Sequence, residues 1–354
     1  MALTTVQPGM LGTPQPYSFK NRIINGAMVV AQRGTSAVSS GSYPVDRFIM
    51  VSTSSATTTA QQSSTVPSSA TFQNSVVYSV TTGASSGASD RQHLYQRIEG
   101  YNIADLGWGT ANAKTVTLSF WAYASLAGTY SASFSNSAQT RSYVASYTLS
   151  ANTWTQVSLT VAGDTSGTWL TTTGIGIQLS WDFGSGSTYT GTANTWSGSY
   201  YLAATGQATL SATTGATFYI TGVQLEVGVT ATTFDYRAYG QELALCQRYF
   251  NKFGGNSAYE TFGSGLAINT TTGWVCVTYP VEMRATPAVD AGYTTLSLVS
   301  GSSNIAATVV AIGYSGTKAA GLIVTVASGL TTGQGTIFGA NGSTSAKLGL
   351  TSEL

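Results

Sequence analysis

Charge is what this sequence has least of. Only 8% of its 354 residues are Asp, Glu, Lys or Arg, and the net charge is +1; about a quarter is usual for a globular chain. With so few Lys and Arg there is no basic footprint for phosphates, which excludes a DNA- or RNA-binding role. Histidine occurs once, as His93. A zinc or iron site needs several His or Cys, so His93 reads as a surface or strand-face residue and no metal or cofactor is expected. The two cysteines, Cys246 and Cys276, make no disulfide framework. No run of ~18 apolar residues is present, so no membrane insertion is expected. The start, Met1-Ala2-Leu3-Thr4-Thr5-Val6-Gln7-Pro8, lacks the basic and apolar regions of a signal peptide.

What is present is Ser, Thr, Gly, Ala and Asn around a substantial apolar fraction. Hydrophobic residues make up 42% and aromatics 11%, too many for a disordered chain. The length suits two or three domains. Thr and Tyr favour pleated strands, and Gly, Asn and Ser favour the turns between them. An uncharged polar surface of this kind suits a displayed protein, provided that exposed sheet edges are paired in an oligomer.

Period-two alternation dominates the middle of the chain. Val116, Leu118, Phe120, Ala122 and Ala124 share one face, with Thr117, Ser119, Trp121 and Tyr123 opposite. Tyr143, Ala145, Tyr147 and Leu149 repeat the pattern, as do Val157, Leu159 and Val161. Ile175, Ile177, Leu179, Trp181 and Phe183 follow it too, with Gln178, Ser180 and Asp182 on the solvent side. Many half-buried antiparallel strands predict a jelly-roll β-sandwich over 21–237. Parity switches at Gly222, between Phe218/Ile220 and Val223/Leu225/Val227, which predicts a bulge. From Tyr239 the period becomes helical. Leu243, Cys246, Phe250 and Phe253 form an apolar stripe that predicts a linking helix over 238–254, stopped by Gly254 and Gly255 and docking on a domain or on copies of itself. A small C-terminal β domain is expected over 255–354. The class is therefore all-β: sandwich, one short helix, second β unit. Residues 1–20 carry Pro8, Pro14 and Pro16, which exclude a helix or central strand and suit an extended arm.

Several segments, in order, resemble fibre-type proteins on the virions of marine and cyanobacterial tailed phages. They are residues 25–34; Asp46-Arg47-Phe48; Gln96-Arg97-Ile98-Glu99-Gly100; 114–121; Gly222-Val223-Gln224-Leu225-Glu226-Val227-Gly228; and Tyr239 to Phe250. The pattern at 279–287 resembles the small C-terminal β domain often attached to such proteins. The resemblance implies a carbohydrate-binding-module-like jelly roll, assembly as a homotrimer and location on the virion after synthesis in the bacterial cytoplasm. The resemblance does not say where on the virion the protein sits; with no long coiled-coil or β-helical shaft in the sequence, the leading reading is a short tail fibre that adheres to host-surface glycan. Residues 1–20 would then attach to another virion protein, whether tail hub, tail tube or capsid. A head fibre or capsid decoration protein of the same fold is the first alternative. A surface polysaccharide depolymerase is the second, and a bacterial carbohydrate-binding module the third.

Two sets of side chains are singled out. Sugar-binding faces offer flat aromatic rings flanked by polar groups. Trp108, Trp181, Trp196, Tyr200 and Tyr201 are candidates in the first domain, and Tyr259, Trp274, Tyr314 and Phe338 in the second. The charges inside the recurring segments should be buried and paired. Arg47 or Arg97 is expected to pair with Glu226 or Glu99 as a clasp between the first and last strands. Of the carboxylates, Asp182 is the best catalytic suspect, against its reading as a solvent-facing strand residue. No enzyme activity is expected.

Overall fold

A computed structural model describes residues 20–354. The arm and its prolines Pro8, Pro14 and Pro16 lie outside the described residues. Thirteen strands belong to the first unit: β1 Phe48–Ser52, β2 Thr57–Ser63, β3 Ser75–Thr82, β4 Gln92–Glu99, β5 Val116–Ala124, β6 Gly128–Ser135, β7 Ser142–Leu149, β8 Thr155–Val161, β9 Ile175–Asp182, β10 Thr190–Gly191, β11 Trp196–Ser197, β12 Ala203–Ala204 and β13 Thr217–Val227. A six-stranded sheet in the order β1-β4-β9-β6-β7-β11 packs on a five-stranded sheet ordered β2-β3-β13-β5-β8. The inward faces meet in one core in which Trp181 contacts Phe48 and Phe120, with centroids 6.1 and 5.8 Å away. This is the jelly-roll sandwich that the alternation predicts, and Val116, Leu118, Phe120, Ala122 and Ala124 all point into it.

One face of the sandwich departs from expectation. Gln178, Ser180 and Asp182 are buried, not solvent-facing. The cause is the excursion after β9, which folds back over the outer face of the six-stranded sheet. Ala204 N donates to Ser131 Oγ at 2.9 Å, Tyr201 N to Ser142 Oγ at 3.0 Å, and Gln178 Nε2 to the Tyr200 hydroxyl at 2.7 Å. His93 is buried on the same sheet rather than on the surface.

The bulge in β13 is present. Register shifts between Thr221 and Gln224, and Gly222 has φ +63°. It leaves backbone groups for the segment 21–26 to engage. Val223 N donates to Gly26 O at 2.9 Å, and Asn21 Nδ2 donates to Val223 O at 3.1 Å. A sheet interior with a bulge needs such a partner, because buried backbone groups must be paired.

The helix α1 spans Tyr239–Gln247 only. Phe250 and Phe253 are not on it; they belong to strand β14, Phe250–Phe253, which pairs antiparallel with β22. Aromatic residues suit strands, and pairing with Leu348–Thr351 overrides the weak helical prior. Gly254, at φ +91°, turns the chain after the strand; a Cβ there would lie 2.4 Å from Ala346 O. The remaining strands are β15 Thr261–Ala267, β16 Thr272–Thr278, β17 Ala288–Val289, β18 Leu296–Ser300, β19 Ser303–Ser315, β20 Ala319–Val326, β21 Gly335–Ala340 and β22 Leu348–Thr351. Six close an antiparallel barrel, β15-β16-β20-β19-β18-β21, beside a three-stranded sheet, β14-β22-β17. The barrel has its own core, which includes Leu298, Leu322, Val324 and Phe338.

The helix docks on the sandwich of its own chain. Cys246 and Tyr249 pack with Ile24 and Val30, and Leu243 packs against that cluster. Of the two dockings expected for the stripe, on a domain or on other copies, the structure shows the first, and the stripe is divided between this cluster and β14.

Candidate functional site

The buried charges are paired, but with other partners than expected. Glu99 accepts from Arg248 Nη2 and from the Tyr249 hydroxyl, both at 2.7 Å. Arg47 pairs with Glu353, and its guanidinium lies over the Tyr249 ring. Arg97 donates to Gln178 Oε1 at 3.0 Å and to Leu354 O at 2.6 Å. Glu226 accepts from Thr232 N at 2.8 Å and Gln224 Nε2 at 2.8 Å. No clasp between Arg47 or Arg97 and Glu226 or Glu99 forms. Glu226 instead binds Thr232 in the turn that follows β13, while both arginines face residues 353 and 354. The charges therefore hold the helix and the 352–354 segment on the sandwich. Arg284 completes this junction, donating to Ser352 O at 2.7 Å, Glu353 O at 2.9 Å and Thr173 O at 2.8 Å.

Asp182, the catalytic suspect, is fully engaged. Gly184 N and Ser185 N donate to its Oδ1 at 2.8 and 2.9 Å, and Ser185 Oγ and Gln207 Nε2 also bind its carboxylate. Burial raises its pKa, against the lowering effect of these hydrogen bonds. The carboxylate caps the turn that begins the covering excursion. His93 is pushed down to about 3 by burial, with Arg91 and Arg97 adding to the effect, so it is a neutral interior residue at pH 7. Among the described residues no group of three or more His, Cys, Asp or Glu is placed to hold a metal ion, and no helix is long and apolar enough to cross a membrane.

The aromatic candidates separate cleanly. Trp181 and Phe338 are 0% exposed and belong to the two cores, so neither contacts a ligand. Trp196 sits in a cluster with Trp108 and Trp169, at 5.4 and 5.6 Å, and donates to Ala162 O at 2.9 Å. That cluster braces the edge strand β11. Tyr200 and Tyr201 belong to the covering excursion. Tyr259 is exposed but stands apart, beside Gly342.

Trp274 and Tyr314 come together. They are 42% and 72% exposed, and their rings meet edge to face at 5.4 Å. Along β16, Gly273, Val275 and Val277 point into the barrel and Trp274, Cys276 and Thr278 point out. Trp274 is flanked in register by Leu266 on β15 and Ile323 on β20. Tyr314 lies opposite Gly321, where β19 shifts register after Ile312. The result is a groove of about 300 Å³ lined by Leu266, Trp274, Cys276, Tyr314 and Ile323, with Gly313 and Gly321 leaving room beside the rings. No ionised side chain lines it. An exposed pair of rings with a bare floor can stack on the C–H face of a sugar. Both rings stand out in the sequence, whereas Leu266 and Ile323 do not; their signal is the outward parity of β15 and β20.

A second cleft, of about 380 Å³, lies between the first unit and the three-stranded sheet. Its lining includes Arg33, Lys252 and Lys347, none of which stood out in the sequence.

No family model matches the sequence, and no curated protein matches it. Among solved structures, a putative sugar binding protein from Bacteroides thetaiotaomicron is 13% identical and aligns over 59% of this chain and 100% of its own, with a TM-score of 0.34. The enzymatically active domain of tailspike protein 4 of bacteriophage CBA120 is 13% identical over 59% of this chain, with a TM-score of 0.31; this chain spans only 21% of its length. A family 11 carbohydrate-binding module of a Clostridium thermocellum cellulosomal cellulase is 10% identical, with 56% and 97% coverage and a TM-score of 0.29.

Proposed function

We propose that this chain is a non-enzymatic fibre protein of a phage virion, which adheres to host-surface glycan through the Trp274–Tyr314 face. The single observation that carries the binding role is that exposed, edge-to-face pair beside an uncharged groove. Stacking of this type favours a neutral saccharide, because the rings supply area and no ionised group competes for water. Adhesion is favoured over hydrolysis because the best catalytic carboxylate, Asp182, is buried and caps a turn; glycoside hydrolysis needs two carboxyl groups facing a substrate. The ordered segments that resemble phage fibre proteins support the virion assignment. The same resemblance supports a homotrimer attached through residues 1–20. Outward-facing Val309 and Ile337, at 48% and 46% exposure, are apolar area that association would cover.

The test is binding of purified protein to fluorescent host cells and to a panel of neutral polysaccharides, with Trp274→Ala and Tyr314→Ala as comparators. Saturable binding that both variants weaken is the expected result. Equal binding by all three proteins overturns the assigned face, and release of reducing sugar during incubation overturns the non-enzymatic reading. A monomeric mass in solution removes the trimer.

A further inference from the structure

We propose that the cleft between the sandwich and the three-stranded sheet binds a carboxylated sugar, such as a uronic acid residue of an acidic glycan. The inference does not rest on the Trp274–Tyr314 reading. Charge is scarce in this chain, with 14 Lys and Arg in 354 residues. Three of them, Arg33, Lys252 and Lys347, nevertheless line one cleft, against a single lining carboxylate, Asp290. The two lysine ammonium groups have no hydrogen bond or ion pair among the described residues. Three cations against one lining carboxylate, with only Arg33 ion-paired, leave a net positive potential in the cleft that attracts an anion.

Arg33 is held in place for this task. Its guanidinium carbon lies 3.5 Å over the Phe250 ring and 4.1 Å over the Tyr43 ring. Its Nη2 reaches Glu353 at only 3.4 Å, and its buried Nη1 has no acceptor among the described residues. A planar fork fixed between two rings and short of an acceptor suits a carboxylate. The cleft also offers the neutral hydroxyls of Ser42 and Tyr43, while the Gln32 amide in its lining is engaged by Asp46 and Phe250 O. Those hydroxyls can both donate to and accept from the hydroxyls of a sugar. A volume of about 380 Å³ is at the small end for ligand sites, which suits one sugar unit rather than a long chain.

The experiment is titration of the full chain with glucuronic acid, glucose and inorganic phosphate, followed by heat or by chemical-shift change. Glucuronic acid should bind saturably, glucose should not compete with it, and phosphate should bind about tenfold more weakly or less. Lys347→Gln and Lys252→Gln, on partly exposed side chains, should each weaken glucuronic acid by about fivefold to tenfold at low salt. Their thermal melts should match the parent. Trp274→Ala should leave glucuronic acid binding unchanged, which separates this site from the aromatic face. Unaltered affinity in both lysine variants overturns the proposal, as does phosphate binding as tight as glucuronic acid.

Discussion

The guanidinium carbon of Arg47 lies 3.5 Å over the ring of Tyr249. Arg47 is on the sandwich, directly before β1, and Tyr249 joins α1 to β14, so this contact sits on the seam between the two β units. The Tyr249 hydroxyl is then spent on Glu99, and the Arg47 charge on Glu353. Neither group can be removed without stranding a partner.

Glu99→Ala tests that seam. Glu99 is buried, and its loss leaves the Tyr249 hydroxyl and the Arg248 guanidinium without their acceptor. Breaking a buried pair from one side should lower stability by about 3 kcal/mol. Urea unfolding, followed by tryptophan fluorescence, reads it.

Trp181 and Trp274, alike as aromatic candidates in the sequence, should behave oppositely. Trp181→Ala empties the middle of the sandwich core and should lose about 3–5 kcal/mol of stability. Trp274→Ala removes an exposed ring. It should change stability by less than about 1 kcal/mol while lowering neutral-glycan affinity about tenfold, equivalent to ~1.4 kcal/mol. Parallel melts and binding curves separate the two effects.

The pH dependence of stability should hide two opposed terms. Burial raises Asp46 from 3.8 to about 6. The folded state therefore binds its proton more readily than the unfolded chain, and stability rises as pH falls from about 6 to about 4. His93 is lowered from 6.5 to about 3. Here the unfolded chain takes the proton first, so stability falls as pH drops below about 6.5. Each term has a slope of about 1.4 kcal/mol per pH unit where it acts alone. They oppose each other between about pH 6 and 4. Asp46→Asn should expose the histidine loss, with stability falling more steeply on acidification than in the parent. Denaturant melts at pH 6.5, 5.5 and 4.5, each about a unit apart, check the sign; an equal slope in parent and variant contradicts it.

Gly222→Ala should cost about 2 kcal/mol or more, because a side chain at φ +63° is strained and its Cβ would lie 2.5 Å from the Phe72 ring. Gly228→Ala, at φ +123° but with open space around it, separates the backbone cost from the clash. Thermal unfolding of the pair gives the difference.

The sandwich was legible because its signals are local. The alternation along β5, the parity switch at Gly222 and the composition of the turns each lie within one strand. The outer face of β9 was not legible. Period two shows that Gln178, Ser180 and Asp182 share a face, but not that residues 200–207 will cover it. Phe250 and Phe253 fit helical spacing on paper, and only the distant Leu348–Thr351 strand decides between helix and sheet. The charged residues were recognised as buried and in need of partners. Their partners, Arg248 and Glu353, lie far along the chain and carry no mark in the sequence. The same holds for Arg33, Lys252 and Lys347: each is an ordinary isolated cation until folding brings the three to one cleft.

The return of residues 352–354 to the sandwich has a mechanical meaning. A barrel joined only through α1 would hang from one tether and could swivel about it. Strands β14 and β22 run side by side, and the segment after β22 is fastened to Arg47 and Arg97 of the sandwich, with Arg284 bridging it to Thr173 O. Load on the barrel therefore divides between a covalent line and a non-covalent one, and two lines resist torsion where one cannot. The Trp274–Tyr314 face is thereby given a fixed bearing on the sandwich, and a pull on the barrel meets the arginine contacts before it can turn that face away.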